Sequence, residues 1–379
     1  MAGIYLHIPF CKQACNYCNF HFSTLLLTKA QVLAAMLEEI RLQQHFFPSK
    51  TMLHTIYFGG GTPSLLSIAE INTLFNCIEK YFLIAENAEI TLEANPDDMT
   101  LEFLQQLKSE TRINRLSIGI QSFLEADLQY MHRAHNATEA ITAIKTAQAV
   151  GFSNLSIDLI YGTPTLNDEM WRENLKIAFD LNIPHISCYA LTVEEKTALA
   201  SQIKKKKTSA PEDEKTSAHF FILMEEMQQH GYVHYEISNF CQPNHAAIHN
   251  SNYWKGLSYL GIGPSAHSFD GEKRYWNISN NALYAKAILE NKFEPAFEIL
   301  SKTDKYNEYI MTAIRTIKGV DSTYISVQFG DIYLQHFLAE IAAFIVQKDV
   351  VQTATTYTLT DKGKLFCDAI SQQLFYLEE

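Results

Sequence analysis

The chain has 379 residues, 47% hydrophobic and 19% charged, with a formal net charge of −12. That composition allows one large core and a smaller one and excludes a disordered chain. The acidic balance argues against non-specific nucleic-acid binding, which needs Lys and Arg to neutralise phosphates. Seven cysteines, an odd count without a secretory leader pattern, argue against a disulfide scaffold and for a reducing compartment. No stretch reaches the ~18 apolar residues of a membrane span. The expected location is the cytoplasm, with peripheral membrane contact left open.

In chain order, Gly3–Ile8 reads as a strand and leads into three cysteines, Cys11, Cys15 and Cys18, spaced Cys-x3-Cys-x2-Cys. Lys29–His45 carries apolar residues at helical spacing. His54–Phe58 is a second strand ending in Gly59-Gly60-Gly61-Thr62-Pro63, followed by a helix at Ile68–Tyr81. Strands at Glu89–Glu93, Arg115–Ile120, Asn154–Ile160 and His185–Tyr189 alternate with helices at Leu101–Lys108, Glu125–Met131, Thr138–Val150 and Asp168–Leu181, with Gly151 a C-cap. Strands alternating with helices imply an α/β fold of parallel βαβ units, whose functional residues lie in loops beyond the C-terminal strand ends. The cysteines, the glycine triplet, Glu93 and Gln121 follow strand ends, and Asp158 lies on the fifth strand.

After about Leu191 the pattern changes. Residues 1–191 read as the α/β unit, 192–303 as a connecting α+β extension, and 304–379 as a small separate domain. Lys204–Lys207 is read as a solvated run. Ser217–His230 is helical and Tyr232–Asn239 a strand and turn. In the last part Asn307–Ile317, Ile332–Phe337 and Leu338–Lys348 read as helices, Val350–Leu359 as strand–turn–strand and Thr360–Leu374 as a final helix. This order is winged-helix-like, but no basic recognition helix accompanies it, so a packing or partner-docking module is expected and nucleic acid is not. Cys77, Cys188, Cys241 and Cys367 are read as buried free thiols.

Three close thiolates suit three irons of a [4Fe–4S] cluster, leaving one iron open, since such clusters ordinarily take four cysteines. Zinc is the rival, with His7 or His21 as a fourth ligand. Gly59–Pro63 lets backbone approach a ligand closely, because glycine has no Cβ in the way. His249 lies in His249-Asn250-Ser-Asn-Tyr253-Trp254, where an imidazole that could serve as a haem ligand stands beside two aromatic rings. His245 and His267 are nearby alternatives, and a satisfied core histidine is the plainer reading.

The cysteine spacing, with Tyr5-Leu-His7-Ile-Pro9-Phe10 ahead of it, resembles the radical S-adenosylmethionine (SAM) superfamily, and within it the coproporphyrinogen III oxidase-like family. The resemblance implies a partial (β/α)6 barrel, a [4Fe–4S] cluster on Cys11, Cys15 and Cys18, and SAM bound through its amino and carboxylate groups at the open iron. By motif it implies SAM contacts from Tyr5, Gly60, Gly61, Thr62, Glu93, Gln121, Arg133 and Asp158. Taken alone, Glu93 or Asp158 is equally a surface ion-pair partner.

Decarboxylases of this family carry a further cysteine two residues after the third, where this chain has Phe20, and a longer segment before the tyrosine. Both departures point to the haem-chaperone (HemW) branch, whose haem motif His249-Asn250-x-x-Tyr253-Trp254 resembles, with His249 as ligand. That branch implies haem as cargo, delivery to a haem-requiring protein such as a membrane respiratory cytochrome, and a homodimer. The alternative is an oxygen-independent coproporphyrinogen III dehydrogenase.

Overall fold

The computed structural model describes residues 2–378. Six parallel strands stand side by side in chain order: β1 (Ala2–Ile8), β2 (Met52–Gly60), β3 (Leu83–Ala94), β4 (Arg115–Gln121), β5 (Leu155–Tyr161) and β6 (His185–Ala190). Helices join them, as expected for a partial (β/α)6 barrel.

The sheet continues beyond both edges. Past β6 run two antiparallel strands, β7 (Val233–Glu236) and β8 (Asn239–Cys241). Past β1 lies β9 (Tyr259–Ile262), parallel to it, then antiparallel β10 (His267–Phe269), β11 (Lys273–Trp276) and β12 (Ala296–Ile299). The result is one open twelve-stranded sheet. Sequence reading found the six central strands and only part of the edges. Three- and four-residue strands leave too short a period to detect.

The strand faces divide sharply by chemistry. Ile4, Leu6 and Ile8 of β1, Ile56 and Phe58 of β2, and Leu116 and Ile118 of β4 are fully buried in the apolar core. That core also holds Val32, Met36 and Ile40 of the helix Lys29–Leu42, whose 3.6-residue spacing sets them on one stripe. Alternate residues point the other way, into the lumen: Tyr5, Thr55, Tyr57, Glu93, Arg115, Asp158 and Ser187. The barrel therefore has an apolar outer layer and a polar interior.

Buried Glu39 ties the edge ribbon to the barrel. Its carboxylate accepts from Gly263 N (2.8 Å), Asn277 Nδ2 (2.6 Å) and Tyr284 Oη (2.5 Å). These three donors come from the turn after β9, the segment after β11 and the helix Asn281–Leu289.

A second core, separate from the first, gathers Tyr306, Ile310, Phe337, Ile341, Tyr357 and Leu374. Here the expected helices at 332–337 and 338–348 are one helix, Asp331–Val346, because no Gly or Pro interrupts it. The break falls earlier, at Gly330 (φ 90°), after an additional helix Ser322–Phe329. The ribbon Val350–Thr353/Thr356–Leu359 follows as expected. Cys188, Cys241 and Cys367 are buried and Cys77 partly so, all as free thiols. Lys204–Lys207 is exposed. No helix among the described residues is long and apolar enough to cross a membrane.

Burial pushes the Glu39 carboxyl up to about 7, against the three hydrogen bonds that favour its charge. The folded protein therefore holds this proton up to about pH 7, whereas the unfolded chain releases it near 4.5. Folded chain binds more protons in that window, so this group's contribution to stability falls as pH rises through it. Glu39→Gln is expected to narrow its stability deficit against wild type between pH 5 and pH 7.5, read as melting temperatures. Glu39→Ala leaves three buried donors unpaired and should cost about 3 kcal/mol or more in a denaturant titration.

Candidate functional site

The cysteine loop leaves the C-terminal end of β1 and is closed at its base. Cys11 N donates to Ser23 O (3.0 Å) and Ser23 N to Pro9 O (2.9 Å). The glycine segment after β2 is laced to it, with Gly61 N on Ile8 O (2.8 Å) and Thr62 N on Phe10 O (2.7 Å). A Cβ on Gly61 would lie 2.7 Å from Phe10 O and 2.9 Å from Ile8 O, so only glycine permits this approach. From the other side, Asn16 Nδ2 donates to Tyr130 O (2.6 Å) and Gln13 Nε2 to His132 O (2.8 Å).

All three cysteines are partly exposed free thiols. Burial, and then the charge of neighbouring thiols, raises Cys11 to about 11 and also raises Cys18. Arg133 Nη1 donates to Cys15 Sγ at 3.2 Å. Three thiols within reach of one another's charge, on one pinned loop beside a guanidinium, fit the donor set of a cluster. The zinc alternative fits poorly. Both histidines offered as its fourth ligand are engaged elsewhere, His7 Nε2 with His21 O (2.9 Å) and His21 Nε2 with Asn281 Oδ1 (2.8 Å).

Arg133 links the expected SAM residues. Its Nη2 donates to Asn95 Oδ1 and to Gly119 O, both at 2.7 Å, and Asn95 Nδ2 donates to Thr62 Oγ1 at 3.1 Å. The Gln121 amide lies in the same group, 3.0 Å from where a Gly119 Cβ would sit. Gln121 itself has φ 67°, a left-handed conformation costly for a residue with a Cβ and characteristic of functional sites. Glu93 accepts from Tyr57 Oη (2.8 Å) and Gly60 N (3.1 Å). Tyr5 stacks on Tyr57 with ring centroids 6.0 Å apart. Asp158, deeper in the lumen, is hydrogen-bonded to Ser187. Burial pushes Glu93 up to about 7 and Asp158 to about 6. The eight residues thus line one mouth of the barrel and its upper lumen. Such a rim offers backbone amides, acceptors and one fixed cation to a zwitterionic ligand.

His249 lies elsewhere. The helix Ile248–Trp254 caps the lower lumen, and His249 is 3% exposed. Its Nδ1 is paired with Thr55 Oγ1 (2.8 Å) and its Nε2 with Tyr253 Oη (3.0 Å). Its ring stacks on Tyr57 at 4.9 Å. Burial, with Arg115 nearby, pushes it down to about 3, so it is neutral. Glu89 fixes this helix by accepting from Ile248 N (3.0 Å) and His249 N (2.8 Å). Asn250, Tyr253 and Trp254 are half-buried on the same helix. Both nitrogens of the expected ligand are therefore occupied inside the barrel.

Sequence reading missed Asn95, Tyr57, Glu89 and Arg115. Asn95 stands two residues after Glu93, and Tyr57 alternates with the apolar residues of its strand. Arg115, buried with Nε and Nη1 lacking hydrogen bonds and only a 4.0 Å ion pair to Glu89, is the lone cation opening an apolar strand. That oddity was a usable signal.

The partial barrel and its thiol loop define a radical SAM protein, and residues 5–178 match the Radical SAM superfamily. Two curated relatives, both bearing the name heme chaperone HemW, align nearly end to end. The one from Synechocystis is 35% identical, covering 98% of this chain and 95% of its own. The one from Mycobacterium tuberculosis is 31% identical, covering 98% and 94%. The chain belongs to the HemW family. Its fold is shared by the coproporphyrinogen III oxidase HemN from Escherichia coli, with a TM-score of 0.86 at 23% identity, covering 99% of this chain and 90% of that one.

Gly61→Ala should force the cysteine loop off β2 and sharply lower iron bound per chain after anaerobic reconstitution, with the circular dichroism of the barrel kept. Arg133→Ala removes the partner of Asn95, Gly119 O and Cys15. It should cost about 3 kcal/mol in a urea titration and weaken SAM binding, measured by equilibrium dialysis.

Proposed function

We propose that this protein is a haem chaperone that holds a [4Fe–4S] cluster on Cys11, Cys15 and Cys18, binds SAM at the barrel mouth, and carries haem to a haem-requiring protein. The observation carrying the first part is the Arg133 hub. One side chain, itself an expected SAM contact, ties Cys15 to Asn95 and the Gly119 carbonyl, on the strand ends that also carry Glu93 and Gln121. When bound and reduced, such a cluster supplies an electron that can cleave SAM. Around it, Glu93 and Asp158 offer acceptors to ribose or amino groups, Thr62 and the glycine amides hold the methionyl end, and Arg133 keeps an anion in place. The haem part is supported by the near full-length likeness to proteins named heme chaperone HemW.

The acceptor is proposed to be a membrane respiratory cytochrome, reached by a cytoplasmic carrier acting as a dimer at the membrane's inner face. Phe20, standing where the decarboxylases have a cysteine, favours carriage over coproporphyrinogen III dehydrogenation. It leaves no thiol at that place beside the cluster.

Substituting all three cysteines by alanine should abolish iron binding and the broad visible absorbance while leaving the fold; retained iron would mean another metal site. Incubated anaerobically with reductant, SAM and coproporphyrinogen III, the reconstituted protein should form no protoporphyrinogen. Product formation would reject the carrier-only reading. Titration with ferric protohaem should give a saturable Soret band, and a chain that takes up none would reject haem as cargo.

A further inference from the structure

His267 contrasts with His249. It opens β10 at the cluster end of the ribbon, is exposed, and has no hydrogen-bond partner among the described residues. Burial of its inner side and nearby Arg274 lower its pKa, so the ring is neutral at pH 7 and keeps a lone pair. Directly opposite in the strand pairing stands Trp276, its ring 6.4 Å away and tilted by 31°.

Exposed apolar side chains of the segments that follow make up a candidate shelf. Trp276 is 36% exposed, Ile278 38%, and Leu283 57%. Ile278 O accepts from Ser265 N (3.1 Å), which holds it against the turn ahead of His267. The helix carrying Leu283 is tied to the cysteine loop through Asn281 and His21, beside Phe20, which is 67% exposed. Lys286, exposed one turn beyond Leu283, adds a cation on the same helix face.

An unpartnered neutral imidazole, a neighbouring indole, exposed aliphatic side chains and a cation at the rim match one ligand chemistry. His267 would offer its nitrogen to the iron, the apolar side chains a face to a flat macrocycle, and Lys286 a cation to a propionate. We propose that haem binds on this shelf with His267 as the iron ligand, and that His249 remains a structural group inside the barrel. This rests on the haem-carrier reading above. It places the cargo next to the cluster loop, so that an ordered cluster would steady one wall of the shelf through His21 and Asn281.

The test is titration of the full-length protein with ferric protohaem, following the Soret and visible bands. His267→Gly should weaken binding by about tenfold or more, and free imidazole should restore the wild-type spectrum. His267→Met should still bind but with altered visible bands, a change in iron ligand that a purely structural role would not produce. Trp276→Ala should weaken binding with the bands unchanged. Melting curves confirm that each variant is folded. If His267→Gly and His267→Met bind haem with wild-type affinity and spectrum, the shelf assignment is overturned while the carrier reading stands. If the wild-type chain takes up no haem, the carrier reading falls and this assignment falls with it.

Discussion

The guanidinium of Arg133 is the contact on which the mouth of the barrel depends. The cysteine loop is a long excursion with no secondary structure of its own, and such a loop is ordered only where the scaffold supplies partners. Arg133 supplies three at once: the Cys15 thiol, the side chain at the end of β3 and a carbonyl at the end of β4. Because a planar guanidinium presents its donors in a fixed fork, these three groups are placed relative to one another with little freedom. The glycine segment after β2 completes the arrangement from the opposite side, using backbone alone.

A second constraint is the chemistry of the lumen. An ordinary (β/α) barrel fills its interior with branched apolar side chains. Here the inward positions are tyrosines, carboxylates, an arginine and histidines. Burying such groups is costly unless each finds a partner. Much of the interior hydrogen bonding answers that cost: Tyr57 with Glu93, His249 with Thr55 and Tyr253, and Glu89 with the helix Ile248–Trp254. Glu39 does the same outside the lumen, where it fastens the β9–β11 ribbon that carries His267.

The histidine motif shows why a motif needs a fold. His249, Asn250, Tyr253 and Trp254 were visible as a group in the sequence, and their spacing does place them on one short helix. Which way that helix turns its histidine depends on Glu89, Thr55 and Tyr57, between 160 and 194 residues away for the hydrogen-bonded pair. The exposed imidazole next to the cluster loop is instead His267, whose short strand carries no motif beyond a single ring.

The sequence by itself determined the six parallel strands, the order of their helices, the thiol loop and the strand-end residues. These are written in local signals: period-two and period-3.6 patterns, a glycine triplet and cysteine spacing, each read within one short segment of chain. The radical SAM likeness then supplied, from motif alone, the residues expected to meet SAM. Tertiary structure alone decided the rest. The edge strands are too short to show a period and exist because β1 and β6 offer unpaired edges. Arg133 becomes a hub only when three strand ends converge, and His249 is buried while His267 is exposed because burial depends on distant partners, not on neighbours in the chain.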